Sequence, residues 1–408
     1  MESSKQEKKY GLSVKICVAL LLFVQMTQAF ANPSLSGIMA DFPDTSATAA
    51  QTVINIATLV MIVSALAAPG LAKKMGYKTA GLLAMILALV GGVAPAFFHP
   101  SIAVIIVERA VFGIGYGMVY ALGIAACGEF WRGKETTSMV GVAIFSAGLA
   151  GIAYNLLSAA LAPYGWEFIY YGYFIIVPFM VFYAVFMPQR SELPVDSTEE
   201  NGEKKKFSFA GLGSKFWVFI VCMALGIAAA AAFMNNVSMI VVGTGIDTTG
   251  AAVGIIMTGF GAGLMIGGAI YPIVYRLLKR AAMPVFLLID AVCFLAIMAN
   301  TSYMTLIVCA TVIGVVFGFL NAAWGDMANK KVADYPAASS SGASVFIAAS
   351  GLAQFLSPFF LSALAAVVGQ TESNPFYQYY PAILIIGVGG IALLVMAIIK
   401  KNKVDYER

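Results

Sequence analysis

Charge is what this sequence has least of. Only 11% of its 408 residues are Asp, Glu, Lys or Arg, less than half the share of a soluble domain. Hydrophobic residues make up 61% and mean hydropathy is +0.89, which together make the chain an integral membrane protein. Histidine is nearly absent: His99, in a connecting segment, is the single one, so a buried histidine relay is excluded. The five cysteines, Cys17, Cys127, Cys222, Cys293 and Cys309, lie within or at the edge of apolar stretches. None is placed for an outer-loop disulfide, and their spacing fits no zinc site. Short alternating apolar–polar segments are missing, which argues against a β-barrel. No nucleophile–base set, nucleotide-binding loop or metal cluster occurs, and the polar segments are too short to hold an enzyme domain. A membrane enzyme is therefore a distant reading, and no cofactor is expected.

What is present is a series of twelve apolar runs, 13–38, 47–71, 79–97, 101–127, 137–161, 168–187, 216–242, 249–275, 282–299, 303–328, 338–368 and 377–399. Runs of about 18–25 residues suit helices that cross a core of roughly 30 Å. Of the 24 lysines and arginines, all but Arg109 fall at run ends or in connections, and only in alternate ones. Lys73, Lys74 and Lys78 occupy one such connection, Arg276, Lys279 and Arg280 another, Lys330 and Lys331 a third. The connections near 40–46, 98–101, 162–167, 243–249, 299–303 and 369–376 contain none. This is the positive-inside pattern of twelve crossings with both termini in the cytoplasm, in the plasma (cytoplasmic) membrane. The basic residues are topology signals, so the net charge of +4 implies no nucleic-acid partner. The first run carries Gln25, Gln28 and Asn32 and lacks a small-residue cleavage site, so it reads as a helix of the protein and not a removable signal.

Segment 188–215 is the longest polar stretch and reads as a cytoplasmic linker between six-helix bundles at 1–187 and 216–408. The bundles look like copies. Gly113 and Gly117 in the fourth run recur as Gly314 and Gly318 in the tenth, an offset of 201. Gly148-Leu149-Ala150 recurs as Gly351-Leu352-Ala353, an offset of 203. Two parallel halves of this kind place a solute site near the bilayer midplane.

The connection after the second run, Pro69-Gly70-Leu71-Ala72-Lys73-Lys74-Met75-Gly76-Tyr77-Lys78, is similar to the Gly-x-Leu-Ala-Asp-Arg-x-Gly-Arg-Lys motif of the major facilitator superfamily. Arg109 followed by Gly113, Gly115 and Gly117, and the Gly165-Trp166 pair, also resemble that family, and the resemblance covers essentially the whole chain. It implies an all-α fold of twelve transmembrane helices in two pseudo-symmetric bundles, and secondary transport by rocker-switch alternating access. It also implies a gating role for Lys73, Lys74, Gly76, Lys78 and Glu129. Lys73 stands where the family has Asp. Glu129 at the inner end of the fourth run offers the missing negative charge, and a merely solvated Lys73 is the competing reading. The Gly-Pro signature of proton-driven drug exporters is missing from the fifth run, and Glu167 stands where many relatives have Arg.

Polar side chains facing lipid are costly, so polar positions should face protein or a watery cavity. Isolated Ser and Thr read as bonds across helix contacts, and the glycines of the eighth run as close packing. The amides Gln25, Gln28, Asn32, Asn235, Asn236 and Gln354 read as cavity residues, with Tyr154, Asn155 and Asn321 beside them. The tyrosines at 170, 171, 173, 377, 379 and 380 read as interfacial anchors. An intramembrane cation is a functional-site hypothesis by default. Arg109 shares a helical face with Tyr116 and Tyr120, a combination suited to a carboxylate or aromatic anion. Pairing with Glu108 is the structural alternative, and adjacent helix residues about 100° apart align poorly for it. Glu108 and Asp290, the deep carboxylates, are the candidates for proton coupling.

The reading that results is a monomeric carrier of a small organic anion, with protons as the candidate coupling ion, held in the lipid bilayer. Drug efflux by proton antiport is the alternative, and a transport-dead sensor of the same fold the distant one.

Overall fold

The computed structural model describes residues 10–132, 134–190, 213–333 and 339–399. Most of the expected linker, and the basic residues Lys5, Lys8, Lys9, Lys204–Lys206 and those from Lys400 onward, lie outside the described residues. Leucine, alanine and isoleucine runs with few polar atoms leave the backbone no partner but itself in hydrocarbon, and helix is what satisfies it. The helices are α1 (Leu12–Gln25), α2 (Leu35–Asp41), α3 (Ala47–Met75), α4 (Tyr77–Phe97), α5 (Ile102–Phe130), α6 (Lys134–Leu161), α7 (Trp166–Tyr171) and α8 (Ile176–Phe186). After the linker come α9 (Ser214–Gly243), α10 (Ala251–Leu278), α11 (Ala282–Ala299), α12 (Tyr303–Ala333), α13 (Ser339–Val367) and α14 (Tyr379–Ile399).

Among the described residues, eleven continuous helical stretches are long and apolar enough to cross a membrane. One of them, Ala251–Ala299, runs for 49 residues, about 74 Å at 1.5 Å per residue and more than twice a bilayer core. It divides at Lys279, whose φ of 46° is left-handed, and at the 3-10 turn that follows. Two crossings thus come from one stretch, and the twelve expected crossings are all present.

Two crossings are broken. The first passes from α1 into nine residues of 3-10 helix, Met26–Ser34, with Pro33 inside, before α2. The sixth passes from α7 through 3-10 residues Gly172–Ile175 into α8. Runs of 3-10 longer than three or four residues are uncommon and often mark functional hinges.

The chain forms two compact units, Met1–Ser34 with Thr52–Lys206, and Leu35–Gln51 with Phe207–Arg408. In the first unit, Gly113 and Gly117 of α5 bring its backbone against α3, where a Cβ would meet Ala57 and Met61. In the second, Gly314 and Gly318 of α12 meet the Phe260 and Leu264 carbonyls of α10 in the same way. The glycines that repeat at an offset of 201 therefore serve one purpose twice: each lets the fourth helix of its unit press against the second.

Candidate functional site

Arg109 enters from the second turn of α5 and is completely buried. Its guanidinium donates through Nη1 to the Tyr173 hydroxyl at 2.7 Å and through Nη2 to the Gln28 side-chain carbonyl. Nε donates to the Val53 carbonyl at 3.4 Å. The charge lies 4.2 Å from the ring centre of Phe112, 5.6 Å from Tyr173 and 5.9 Å from Tyr170, within the range of cation–π attraction. Gln28 belongs to the 3-10 break of the first crossing and Tyr173 to that of the sixth. Two irregular backbone segments therefore close on one cation. Irregular backbone at membrane depth persists only where protein or a cavity surrounds it.

None of the Arg109 hydrogen bonds among the described residues goes to a carboxylate. Its partners are an amide, a hydroxyl and a peptide carbonyl, all neutral. Glu108, next in sequence, points elsewhere, with its buried Oε2 lacking any hydrogen-bond partner.

The neighbouring candidates extend from this cage. Gln28 also donates to the Ile54 carbonyl at 2.8 Å, which fixes its amide. Gln25 donates to the Tyr116 hydroxyl at 3.1 Å, and Tyr116 stacks on Phe112 at 5.6 Å. Tyr120, one turn on, is half-buried. Tyr154 is buried against Phe23 and Phe30, its hydroxyl without a partner, and Asn32 and Asn155 are buried. The arginine thus turns toward Tyr173 and Tyr170, residues expected to be interfacial anchors. That expectation fails, because Tyr170, Tyr173, Tyr377 and Tyr379 are all at most 1% exposed. In the sixth crossing Tyr170 and Tyr173 stack on each other, 6.1 Å between ring centres, beside the Arg109 guanidinium.

In the second unit the amides meet each other. Asn236 donates to the Gln378 side-chain carbonyl at 2.7 Å, and Gln378 donates to the Gln51 side-chain carbonyl at 2.9 Å. Gln51 donates to the backbone carbonyl of Asn235 at 3.1 Å and to Asn236 Oδ1 at 3.3 Å. Asn235 donates to Ser357 Oγ at 2.9 Å. Gln378, the second residue of the last apolar run and just before α14, is the member of this network that the sequence reading did not single out. Asn321 donates back to the Phe317 carbonyl of its own helix at 2.9 Å, and Gln354 is half-buried. Asp290 is 1% exposed in α11, and neither carboxyl oxygen has a hydrogen-bond partner.

The family model described as Major Facilitator Superfamily matches residues 17–358. The chain belongs to this superfamily. It is a multi-pass membrane transporter and not an enzyme. No curated protein matches its sequence. Among solved structures it is similar to the nucleoside transporter NupG, with 14% identity, a TM-score of 0.73, and 94% of this chain and 99% of that one covered. It is also similar to a D-xylose-proton symporter, at 15% identity, a TM-score of 0.68, and coverage of 95% and 97%. A bacterial homologue of the human lysosomal transporter Spinster aligns at 13% identity, a TM-score of 0.68, and coverage of 95% and 96%. Likeness at this identity speaks for the fold.

The superfamily motif after the second crossing takes a defined form. Gly76 has φ 86°, a left-handed conformation that suits glycine, and the Gln189 carbonyl accepts the Tyr77 N–H at 2.9 Å beside it. The Tyr183 hydroxyl donates to the Tyr77 carbonyl at 2.9 Å. Lys73 and Lys74 are exposed in the last turn of α3 and Lys78 is half-buried. Glu129 lies near Tyr77, and no ion pair joins it to Lys73 among the described residues.

Proposed function

We propose that this transporter carries a small organic anion across the plasma membrane, by alternating access, as a monomer with both termini in the cytoplasm. The observation that carries the reading is Arg109: a fully buried guanidinium whose hydrogen-bond partners are all neutral. Burying a cation is expensive, and proteins normally offset it with an anion. Here the offset is an aromatic cage and three neutral acceptors, which an entering carboxylate would outcompete through charge-assisted, bidentate hydrogen bonds. Gln28 and Tyr173 sit on broken helices, the kind of segment that lines substrate sites in secondary transporters. Glu108 and Asp290 are the coupling candidates, since each is a deep carboxyl with an unpartnered oxygen. A proton entering with the solute would offset the charge of the anion. The likeness to a D-xylose-proton symporter is consistent with symport.

The test begins with untargeted comparison of solutes taken up by vesicles with and without the protein. Carboxylated solutes should dominate the difference. Arg109→Lys should then lower their uptake at least tenfold while the protein still elutes as a folded monomer, because an ammonium keeps the charge and loses the planar fork. Export of neutral amphipathic compounds, unchanged by Arg109→Lys, would replace this reading with drug efflux.

A further inference from the structure

The second unit contains a cavity of about 500 Å³ that the candidate solute site does not use. That volume lies within the range of small-molecule pockets. Four helices wall it: Phe219, Cys222, Met223 and Gly226 form one face of α9, while α11, α12 and α14 supply the rest. Arg280 is the one charged residue in the lining. It stands at the end that also carries Arg276 and Lys279, and its 3-10 turn packs beside α11 and α14.

Two features identify what this space accepts. It opens sideways, between α9 and α14, where Cys222, Leu225, Leu393 and Met396 are exposed. Those residues are apolar or nearly so and lie within membrane-crossing helices, so the mouth faces hydrocarbon and not water. Its depth is also telling. Along α14 the lining runs from Ile385 to Ala397, and those twelve steps rise about 18 Å, slightly more than half of a core of roughly 30 Å. One leaflet is the corresponding length. Trp324 closes the far end, packed so close to Gly226 that a Cβ there would touch its ring at 3.1 Å.

We infer that this cavity is a binding site for one acyl chain of an anionic phospholipid from the surrounding bilayer, its phosphate held at the basic turn by Arg280. The apolar walls take the chain, and the cluster Arg276, Lys279 and Arg280 complements a negative headgroup. Basic pockets between transmembrane helices recognise anionic headgroups by this combination of charge and apolar wall. A zwitterionic lipid presents the same chain with less net attraction, and a water-soluble solute has no reason to enter from hydrocarbon.

The chain carries its own reporter. Cys222 lines the cavity and is the exposed cysteine, whereas Cys17, Cys127, Cys293 and Cys309 are buried. Full-length protein in nanodiscs of phosphatidylcholine should react with membrane-permeant N-ethylmaleimide at Cys222. Adding phosphatidylglycerol should slow that reaction at least fivefold, and native mass spectrometry should find the anionic lipid retained. Arg280→Ala should abolish the difference between the two lipids. Gly389→Leu should slow the labelling in phosphatidylcholine alone, because a side chain from α14 fills the space; a Cβ at Gly389 meets nothing within 4 Å, so folding is spared. Equal protection by both lipids, or a phosphatidylglycerol effect that survives Arg280→Ala, overturns the proposal. So does Cys222 labelling that neither lipid nor Gly389→Leu alters.

Discussion

At the scale of single residues, Arg109 and Asp290 pose opposite problems. Arg109 is a buried charge surrounded by compensation. Tyr173→Phe deletes one acceptor, 2.7 Å away, and leaves a buried N–H without its partner, a loss of about 1–3 kcal/mol. Folded protein should survive at a lower thermal midpoint, and transport should fall because the guanidinium loses its orientation. Midpoint and uptake measured on one preparation check both. Asp290 has burial without compensation. If its carboxyl serves only the fold, Asp290→Leu should raise the thermal midpoint, since apolar side chains of similar size replace buried polar groups at little cost or with gain. As a coupling group it should behave differently: Asp290→Asn, or Glu108→Gln, should lose pH-driven accumulation and keep solute exchange. Full accumulation in both variants would end the proton-coupling assignment, leaving uniport, another ion, or solute exchange.

Among elements, the connection between α9 and α10 shows how a helix start is fixed at a polar boundary. Asp247 accepts from the Ala252 N–H at 2.8 Å, and from the Thr249 N–H and hydroxyl at 2.8 and 2.7 Å. Burial pushes its carboxyl up, but these donors outweigh it and hold the group below its usual range. A depressed carboxyl stabilises the folded state above its unfolded pKa of about 3.9, and the contribution disappears as pH falls through the folded value. Asp247→Ala should therefore cost about 1 kcal/mol near neutrality, and the gap to the parent should narrow below about pH 4, read as thermal midpoints in detergent. The glycines of α10 offer a sharper comparison. A Cβ on Gly267 would strike the Val315 carbonyl of α12, while one on Gly268 meets nothing within 4 Å. Gly267→Ala should destabilise by about 1–3 kcal/mol through overpacking. Gly268→Ala, one residue away, should be neutral or stabilise by up to about 1 kcal/mol, because alanine loses less backbone freedom in a helix.

For the whole molecule, the prediction is topological. Cysteines introduced at Ser101 and Thr371 should be labelled from outside, and those at Lys204 and Lys330 only from inside. External labelling at 204 in intact cells would remove the arrangement with both termini in the cytoplasm. Cys222 must first be replaced, since it is the exposed native thiol.

Hydropathy and the alternating basic connections were enough to fix the crossings and the all-helical class, and the motif at 69–78 with Arg109 and the glycines after it carried the resemblance to the superfamily. These signals are written one residue at a time, because each crossing must satisfy its own backbone and each basic cluster sets its own side. Arg109 and Gln28 were legible for the same reason: a polar side chain in an apolar run is conspicuous wherever it ends up. The company they keep was not. The regular helix α5 puts Arg109 on the face of Tyr116 and Tyr120, and the 3-10 breaks at Met26–Ser34 and Gly172–Ile175 add Gln28 and Tyr173 from two other crossings. Periodicity assumes about 100° per residue, so it fails where the helix changes its winding. Gln378, at the very start of the last apolar run, joined the amides of α3 and α9 in one network, and the cavity beside Arg280 is lined by helices far apart in sequence. Such groupings depend on which helix faces pack together, and only the tertiary structure decides that.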